Sequence, residues 1–323
     1  MADLPEIEVI SARGELYRSV RSYFQSAGVQ EVEVPLLAAN ATTDPQLISF
    51  AVKCNSGSAF LQTSPEFFLK RLLVSFPYSI FTITKAFRDE EKGSRHNPEF
   101  SMLEWYRVDF QLEQIIEDTV NLIKHCLAAN GSPPQSQSIA STPVVYETYE
   151  SVFAKYLHIN PHQTHLDELQ PLVEEHTSYQ GQCESADEAL QLLLCTVIEP
   201  NFGSGINVLS NFPVSQAALA ETGLDKDGQK VAKRFELYIG DMEIANGYQE
   251  LRNAEELARR FAIDNEMRIA SGKAEVVPDT ALLDALKAGL PACSGVSIGL
   301  DRLLMARLNV ADINSVLLFP WHH

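Results

Sequence analysis

The chain has 323 residues, 45% of them hydrophobic, enough apolar material for one large domain or two small ones. Its formal charge of −18, from 43 acidic and 25 basic side chains, weighs against a ligand held mainly through nucleic-acid phosphates. Five cysteines (Cys54, Cys126, Cys183, Cys195, Cys293) form no C-x-x-C pair and argue against a zinc or disulfide framework. The N-terminus is acidic and lacks an apolar leader, so a soluble cytoplasmic protein with no membrane partner is expected.

In chain order, Leu16, Val20, Phe24 and Ala27 recur at helical spacing and predict a helix from Glu15, closed by Gly28. Val32-Glu33-Val34-Pro35-Leu36-Leu37 reads as a strand ending at a proline. Ser64 then stands as an N-cap before Pro65, with Leu69, Leu72 and Leu73 on one helical face and Glu66 complementing the helix dipole. The run Leu72–Thr84 is too short to cross a bilayer.

The most telling stretch is Phe87-Arg88-Asp89-Glu90-Glu91 with Arg95-His96-Asn97-Pro98-Glu99-Phe100. Arg88 offers a planar cationic fork for a phosphate, Phe100 an aromatic face for a base, and Arg95 and His96 further partners for outer phosphates. Phe100 to Phe110 alternates as a strand does, placing Phe100, Met102, Glu104, Tyr106 and Val108 on one face. An ordinary core face would not carry Glu104, so that face reads as a site.

Gly131 to Thr142 looks like a linker, and the segment from Pro143 to Pro200 reads as mostly helical, decorating a sheet. Phe235–Ile239 and Glu243–Leu251 form a predicted hairpin about Gly240-Asp241, with Asn246, Tyr248 and Glu250 sharing a face. Glu236 and Glu243 can approach each other there, and paired carboxylates beside a triphosphate point to Mg²⁺. Gly295 to Met305 predicts a strand, a glycine and a helix start, with Arg302 near that helix N-terminus.

These segments resemble motifs 2 and 3 of the class II aminoacyl-tRNA synthetases, and the helix, strand and Pro35 resemble motif 1. Thr63-Ser64-Pro65-Glu66, Arg95-His96-Asn97-Pro98-Glu99-Phe100 and Glu243-Ile244-Ala245-Asn246-Gly247-Tyr248 resemble the lysyl members. The likeness runs from about Arg13 to Leu308 and implies an α+β fold, an antiparallel sheet flanked by helices. The whole chain, 1–323, is then one catalytic domain with a helical insertion around 143–200. With the first amphipathic helix near Glu15, no anticodon-binding domain is expected ahead of it. The branch of the family without that domain attaches (R)-β-lysine to elongation factor P in place of tRNA.

The resemblance implies ATP and Mg²⁺ as co-reactants and a homodimer built on motif 1. It makes Arg88 and Arg302 the catalytic pair. Asp89, Glu90, His96, Asn97, Phe100, Glu236, Glu243, Ile244 and Gly299 join them around ATP, with Glu236 and Glu243 on the metal. Asp89 departs from the asparagine usual after the motif-2 arginine. Ser64, Pro65, Glu66, Glu104, Tyr106, Asn246, Tyr248, Glu250 and Ser297 would bind a lysine or β-lysine substrate. Lysyl-tRNA synthetases typically carry alanine where Ser64 stands and glycine where Ser297 stands; the β-lysine branch usually carries alanine at the latter. Other readings stay open at this stage: a synthetase-like enzyme acting on tRNA or a small amine, a non-catalytic regulatory paralogue, and an asparagine synthetase of the same fold.

Overall fold

The computed structural model describes residues 7–55, 57–89, 92–129 and 131–321. Helix α1 (Ile7–Ser26) buries Leu16, Val20 and Phe24, and Gly28 follows at φ +66°. It begins earlier than the apolar spacing predicts, because its first turns are largely solvent-facing. Strands β1 (Gln30–Glu31) and β2 (Leu37–Ala38) come next. The strand expected over Val32–Leu37 is therefore not one piece. Pro35 has no N–H to donate, and the chain leaves one sheet after the Val32 N–H to Phe81 carbonyl bond (2.8 Å) before joining another.

Strands β3 (Ala51–Cys54) and β4 (Gly57–Leu61) complete a small antiparallel sheet in the order β2-β4-β3. Helix α2 (Glu66–Ser75) leads to β5 (Ile80–Phe87) and β6 (Glu99–Val108). Helices α3 (Leu112–Ala128) and α4 (Pro134–Ser141) follow. The stretch read as a linker thus contains a helix. Its prolines sit where a helix start tolerates them, and Ser136 Oγ donates to the Leu127 carbonyl at 2.8 Å, docking α4 on α3.

Strand β7 (Val145–Thr148) opens the next segment, followed by α5 (Tyr149–Leu157), α6 (Leu166–His176) and α7 (Ala186–Leu193). A π-turn at Leu194–Ile198 and a 3₁₀ turn at Glu199–Asn201 end it. Strands β8 (Ile206–Phe212), β9 (Thr222–Leu224), β10 (Lys230–Ile239) and β11 (Met242–Gln249) come next. Helices α8 (Ala254–Ala270) and α9 (Thr280–Gly289) then lead to β12 (Cys293–Gly299) and α10 (Leu300–Leu308).

The large sheet runs β1-β5-β6-β12-β11-β10-β8-β7, with β9 on β10. From β5 to β8 every pairing is antiparallel, as the resemblance implies, whereas β1 on β5 and β7 on β8 add parallel edges. One face is covered by α1, α3 and α10, whose Leu16, Phe24, Ile115, Ile123, Leu300 and Leu304 bury Leu103, Trp105, Leu237 and Ile298. The opposite face carries apolar clusters only at its two ends. At one end α2, α8 and α9 pack around Leu69, Tyr106 and Leu286. At the other, α5 to α7 pack around Phe153, Leu190, Phe212 and Tyr238. Between these two clusters lies a strip of sheet lined by polar side chains.

Candidate active site

Antiparallel pairing carries polar side chains straight across that strip. Thr82, Glu104, Ser297, Asn246 and Glu236 are successive partners on β5, β6, β12, β11 and β10. One row over, Tyr106, Gly295, Tyr248 and Arg234 are likewise aligned. Residues separated by most of the sequence become neighbours because strand partners share a face.

Helix α2 closes the end where the resemblance would place the amino acid. Ser64 Oγ accepts from the Glu66 backbone N–H (3.1 Å) and donates to Glu104 Oε2 (2.7 Å). The helix starts at Glu66 with Pro65 at its cap position, so Ser64, expected as the N-cap, stands one residue ahead of the observed cap while its Oγ still binds the first turn. Tyr106 OH donates to the other Glu104 oxygen at 2.8 Å. Burial, with the Glu66 charge beside it, pushes Glu104 up to about 8 against these two donors. The same causes raise Glu250 to about 7, with Lys70 opposing them.

Lys70 is the residue the sequence reading missed. Its ammonium lies 2.6 Å from Glu66 Oε1 and 2.5 Å from Glu250 Oε2, with its side chain 2% exposed. Burial pulls this lysine down, but the Glu250 and Glu66 charges outweigh it and hold it above its ordinary range. The only sequence signal was an (i, i+4) pairing with Glu66 on the edge of an apolar helix face. Gly295 makes room for the cluster, since a Cβ there would lie 2.5 Å from Glu250 Oε1 and against the Tyr106 ring. The buried Asn246 Oδ1 has no hydrogen-bond partner, an acceptor aligned with Glu104 and Ser297 on the strip. Ser297 Oγ stands 3.5 Å from the Asn246 carbonyl.

At the end where the resemblance would place the nucleotide, Arg88 lies over the Phe100 ring, 5.2 Å from its centroid, and Nε donates to the Thr63 carbonyl at 3.3 Å. The Asp89 N–H donates to the Ile48 carbonyl; Glu90 lies outside the described residues. Arg302, in the first turn of α10, donates to the Glu243 carbonyl (3.0 Å) and the Arg95 carbonyl (3.2 Å), with His96 Nε2 2.5 Å from Nη2. Its neighbour Asp301 is fixed by Arg13 (2.7 Å) and the Ser101 N–H (2.7 Å). Arg95 reaches the hairpin turn, 2.8 Å from Asp241 Oδ1. The Asn97 amide holds the Glu99 carbonyl (2.6 Å) and the Trp321 N–H (3.1 Å). A Cβ added at Gly299 would come to ordinary contact distance of the Arg302 side chain, 3.8 Å from its Cδ.

Glu236 and Glu243 reach the same face through a break in register. The pairing shifts between Leu237 and Tyr238, so Ile244 is an extra residue and Ile244 and Ala245 both enter the core. That bulge turns Glu243 towards the face of Asn246. Glu243 is half-exposed, whereas Glu236 is buried, 2.5 Å from Arg234 Nη2 and bonded to the Tyr238 hydroxyl. Arg234 and Tyr238 share strand parity with Glu236, a signal present in the sequence and not used. The Tyr238 hydroxyl also meets Glu199 Oε1 (3.2 Å), tying the 3₁₀ turn to the strip.

The donor set fits ATP: two guanidiniums, an aromatic ring and a Cβ-free Gly299 line one end of the strip. Among the described residues no group of three or more His, Cys, Asp or Glu is placed to hold a metal. Two carboxylates suit Mg²⁺, which keeps waters and phosphate oxygens for its remaining positions.

The family model for tRNA synthetases class II (D, K and N) matches residues 6–323, and the chain belongs to that family. It is 39% identical over 320 residues to the Elongation factor P–(R)-beta-lysine ligase of Mannheimia succiniciproducens, covering 97% of this chain and 95% of the relative. The proteins of the same name from Pseudoalteromonas translucida and Pasteurella multocida are 40% and 38% identical, with the same coverage. Among the described residues no helix is long and apolar enough to cross a membrane.

Proposed function

We propose that this protein is an ATP-dependent ligase that activates (R)-β-lysine as an adenylate and transfers it to the ε-amine of a lysine on elongation factor P. The observation that carries this reading is the carboxylate cluster of buried Glu104 and Glu250 with partly buried Glu66 at one end of the strip, and Arg88 and Arg302 at the other. A diamino acid brings two ammonium groups that need carboxylate partners once desolvated. Its own carboxylate would then point along the strip towards Arg88.

In the first step that carboxylate attacks the α-phosphorus of ATP, forming a mixed anhydride as pyrophosphate leaves. The work asked of the protein is alignment and charge neutralisation. Arg88 would hold the reacting carboxylate and α-phosphate, Phe100 the adenine, and Arg302 with His96 the outer phosphates. Mg²⁺ held through Glu236 and Glu243 would supply further neutralisation of phosphate charge. In the second step the unprotonated acceptor amine attacks the acyl carbon, the amide bond forms as the C–O bond of the anhydride breaks, AMP leaves, and the amine gives up a proton.

Ser64 and Ser297 flank Glu104; Ser297 would fill the space beside the substrate α-carbon, favouring an amine on the β-carbon, and the Ser64 hydroxyl would offer that amine a hydrogen bond. Incubation with Mg-ATP, (R)-β-lysine and elongation factor P, followed by intact-mass analysis, tests the reading. The expected result is one added β-lysyl group on the factor, with tRNA in a parallel assay uncharged. Charged tRNA with unmodified factor overturns it in favour of a synthetase.

A further inference from the structure

Lys70 poses a physical problem that the roles above leave unsolved. A lysine that only packed α2 against the sheet would be better replaced by leucine, as at the neighbouring buried Leu69 and Leu73. A buried ion pair is at best comparable to well-packed apolar residues in stability. Yet Lys70 is 1% exposed and touches two of the three carboxylates that line the amino-acid end. Three carboxylates against one fixed ammonium leave two negative charges when all are ionised. Two is also the number of ammonium groups on a diamino acid.

We propose that Lys70 is a positioning residue that sets the charge of the amino-acid pocket. It fixes one oxygen of Glu66 and one of Glu250, and leaves the cluster two negative charges to be matched by the two ammonium groups of the substrate. The proposal rests on the ligase reading in naming a diamino acid. Glu66 on its own helix and Glu250 after β11 act directly on this ammonium, which also acts on Cys293 of β12, while Glu104 and Tyr106 on β6 and Tyr248 on β11 interact with those two carboxylates. Arg252 and Glu221 act on Cys293 from further out. Without Lys70 the carboxylates would repel one another and retain a proton to higher pH, and that proton would have to leave before both substrate ammonium groups could bind.

The test compares wild type, Lys70→Met and Lys70→Arg in amino-acid-dependent pyrophosphate exchange between about pH 6 and pH 9. (R)-β-Lysine, L-lysine and the single-ammonium analogue 6-aminohexanoate serve as substrates. Lys70→Met is expected to raise KM for the diamino acids about tenfold or more, with kcat and the KM for ATP changed less than about threefold. The pH at which KM falls should move up by about one unit, and Lys70→Arg should recover much of the loss. A fall in kcat alone, with the pH profile unmoved, would make Lys70 a packing residue and overturn the proposal.

A second readout needs no substrate. The melting temperature of Lys70→Met should drop further below wild type as pH rises, because ionised carboxylates lose their partner. A difference independent of pH overturns the charge role. If wild type activates no diamino acid, the ligase reading fails, and this melting comparison still decides on Lys70. Should Lys70→Met not fold, Lys70→Gln, which keeps a polar contact, is measured the same way.

Discussion

At the amino-acid end of the strip the polar groups are buried and mutually engaged: Ser64 and Tyr106 hold Glu104, and Lys70 joins Glu66 to Glu250. At the nucleotide end Arg302, Arg95 and His96 are partly exposed, and their partners are loop carbonyls, the Glu243 region and Asp241. The first kind of contact is preorganised, with its desolvation already complete before substrate arrives. The second can be exchanged for phosphate oxygens without opening the core. A ligase that must select one small cation closely, yet admit and release a nucleotide every turnover, is served by that division of rigidity.

Substitutions can break the comparison at either end. The largest effect is expected at the nucleotide end. Arg302→Ala should lower kcat/KM in pyrophosphate exchange about 10³-fold, with little change in the melting curve. A loss under about tenfold would remove Arg302 from the phosphate role. Next comes Glu104→Gln, expected to raise KM for β-lysine about 10²-fold while KM for ATP holds.

The same variant tests the pH dependence. Because Glu104 is pushed up to about 8, it must lose a proton to pair with an ammonium, so wild-type KM should fall as pH rises towards that value. Glu104→Gln should flatten the profile. The sign for stability is opposite. A carboxyl raised from 4.5 contributes stability that is full below that value and is lost as pH rises through about 8. Glu104→Gln should therefore reduce the decline in melting temperature across that window.

Smaller effects sharpen the contrast. Ser297→Gly should raise activation of L-α-lysine relative to β-lysine several-fold, about 1 kcal/mol of discrimination, and equal relative rates would dismiss the steric argument. Arg95→Ala should shift KM for ATP less than about fivefold and leave KM for β-lysine untouched. Faster amide exchange in the motif-2 loop should accompany it. A change in β-lysine affinity would show that the two ends are not separate.

Much of this was legible beforehand because the signals are local. The alternation of β6 put Glu104 and Tyr106 on one face, and the hairpin and the strand–glycine–helix around Arg302 follow from turn chemistry and periodicity. What escaped depended on partners distant in sequence. Lys70 is an ordinary helical lysine until Glu250, far along the chain, is placed against it. Val32–Leu37 has strand composition, yet its two ends pair with different sheets. The proline-rich start of α4 reads as a linker, although the same prolines fit a first helical turn. Simple parity also puts Glu243 on the core side, and only the extra residue at Ile244 reverses that.

That extra residue means β11 is written in two reading frames, one for Glu243 and one for Asn246 onwards. Removing Ile244 would let Glu243, Ala245 and Asn246 follow one another in plain alternation opposite Tyr238, Leu237 and Glu236, with Glu243 and Asn246 still on the strip face and Ala245 still in the core. A single-residue deletion there should harm the enzyme less than one between Asn246 and Gln249, which would turn the rest of the strand to the wrong face. The bulge is therefore the place in β11 where a change of length can leave the strip intact.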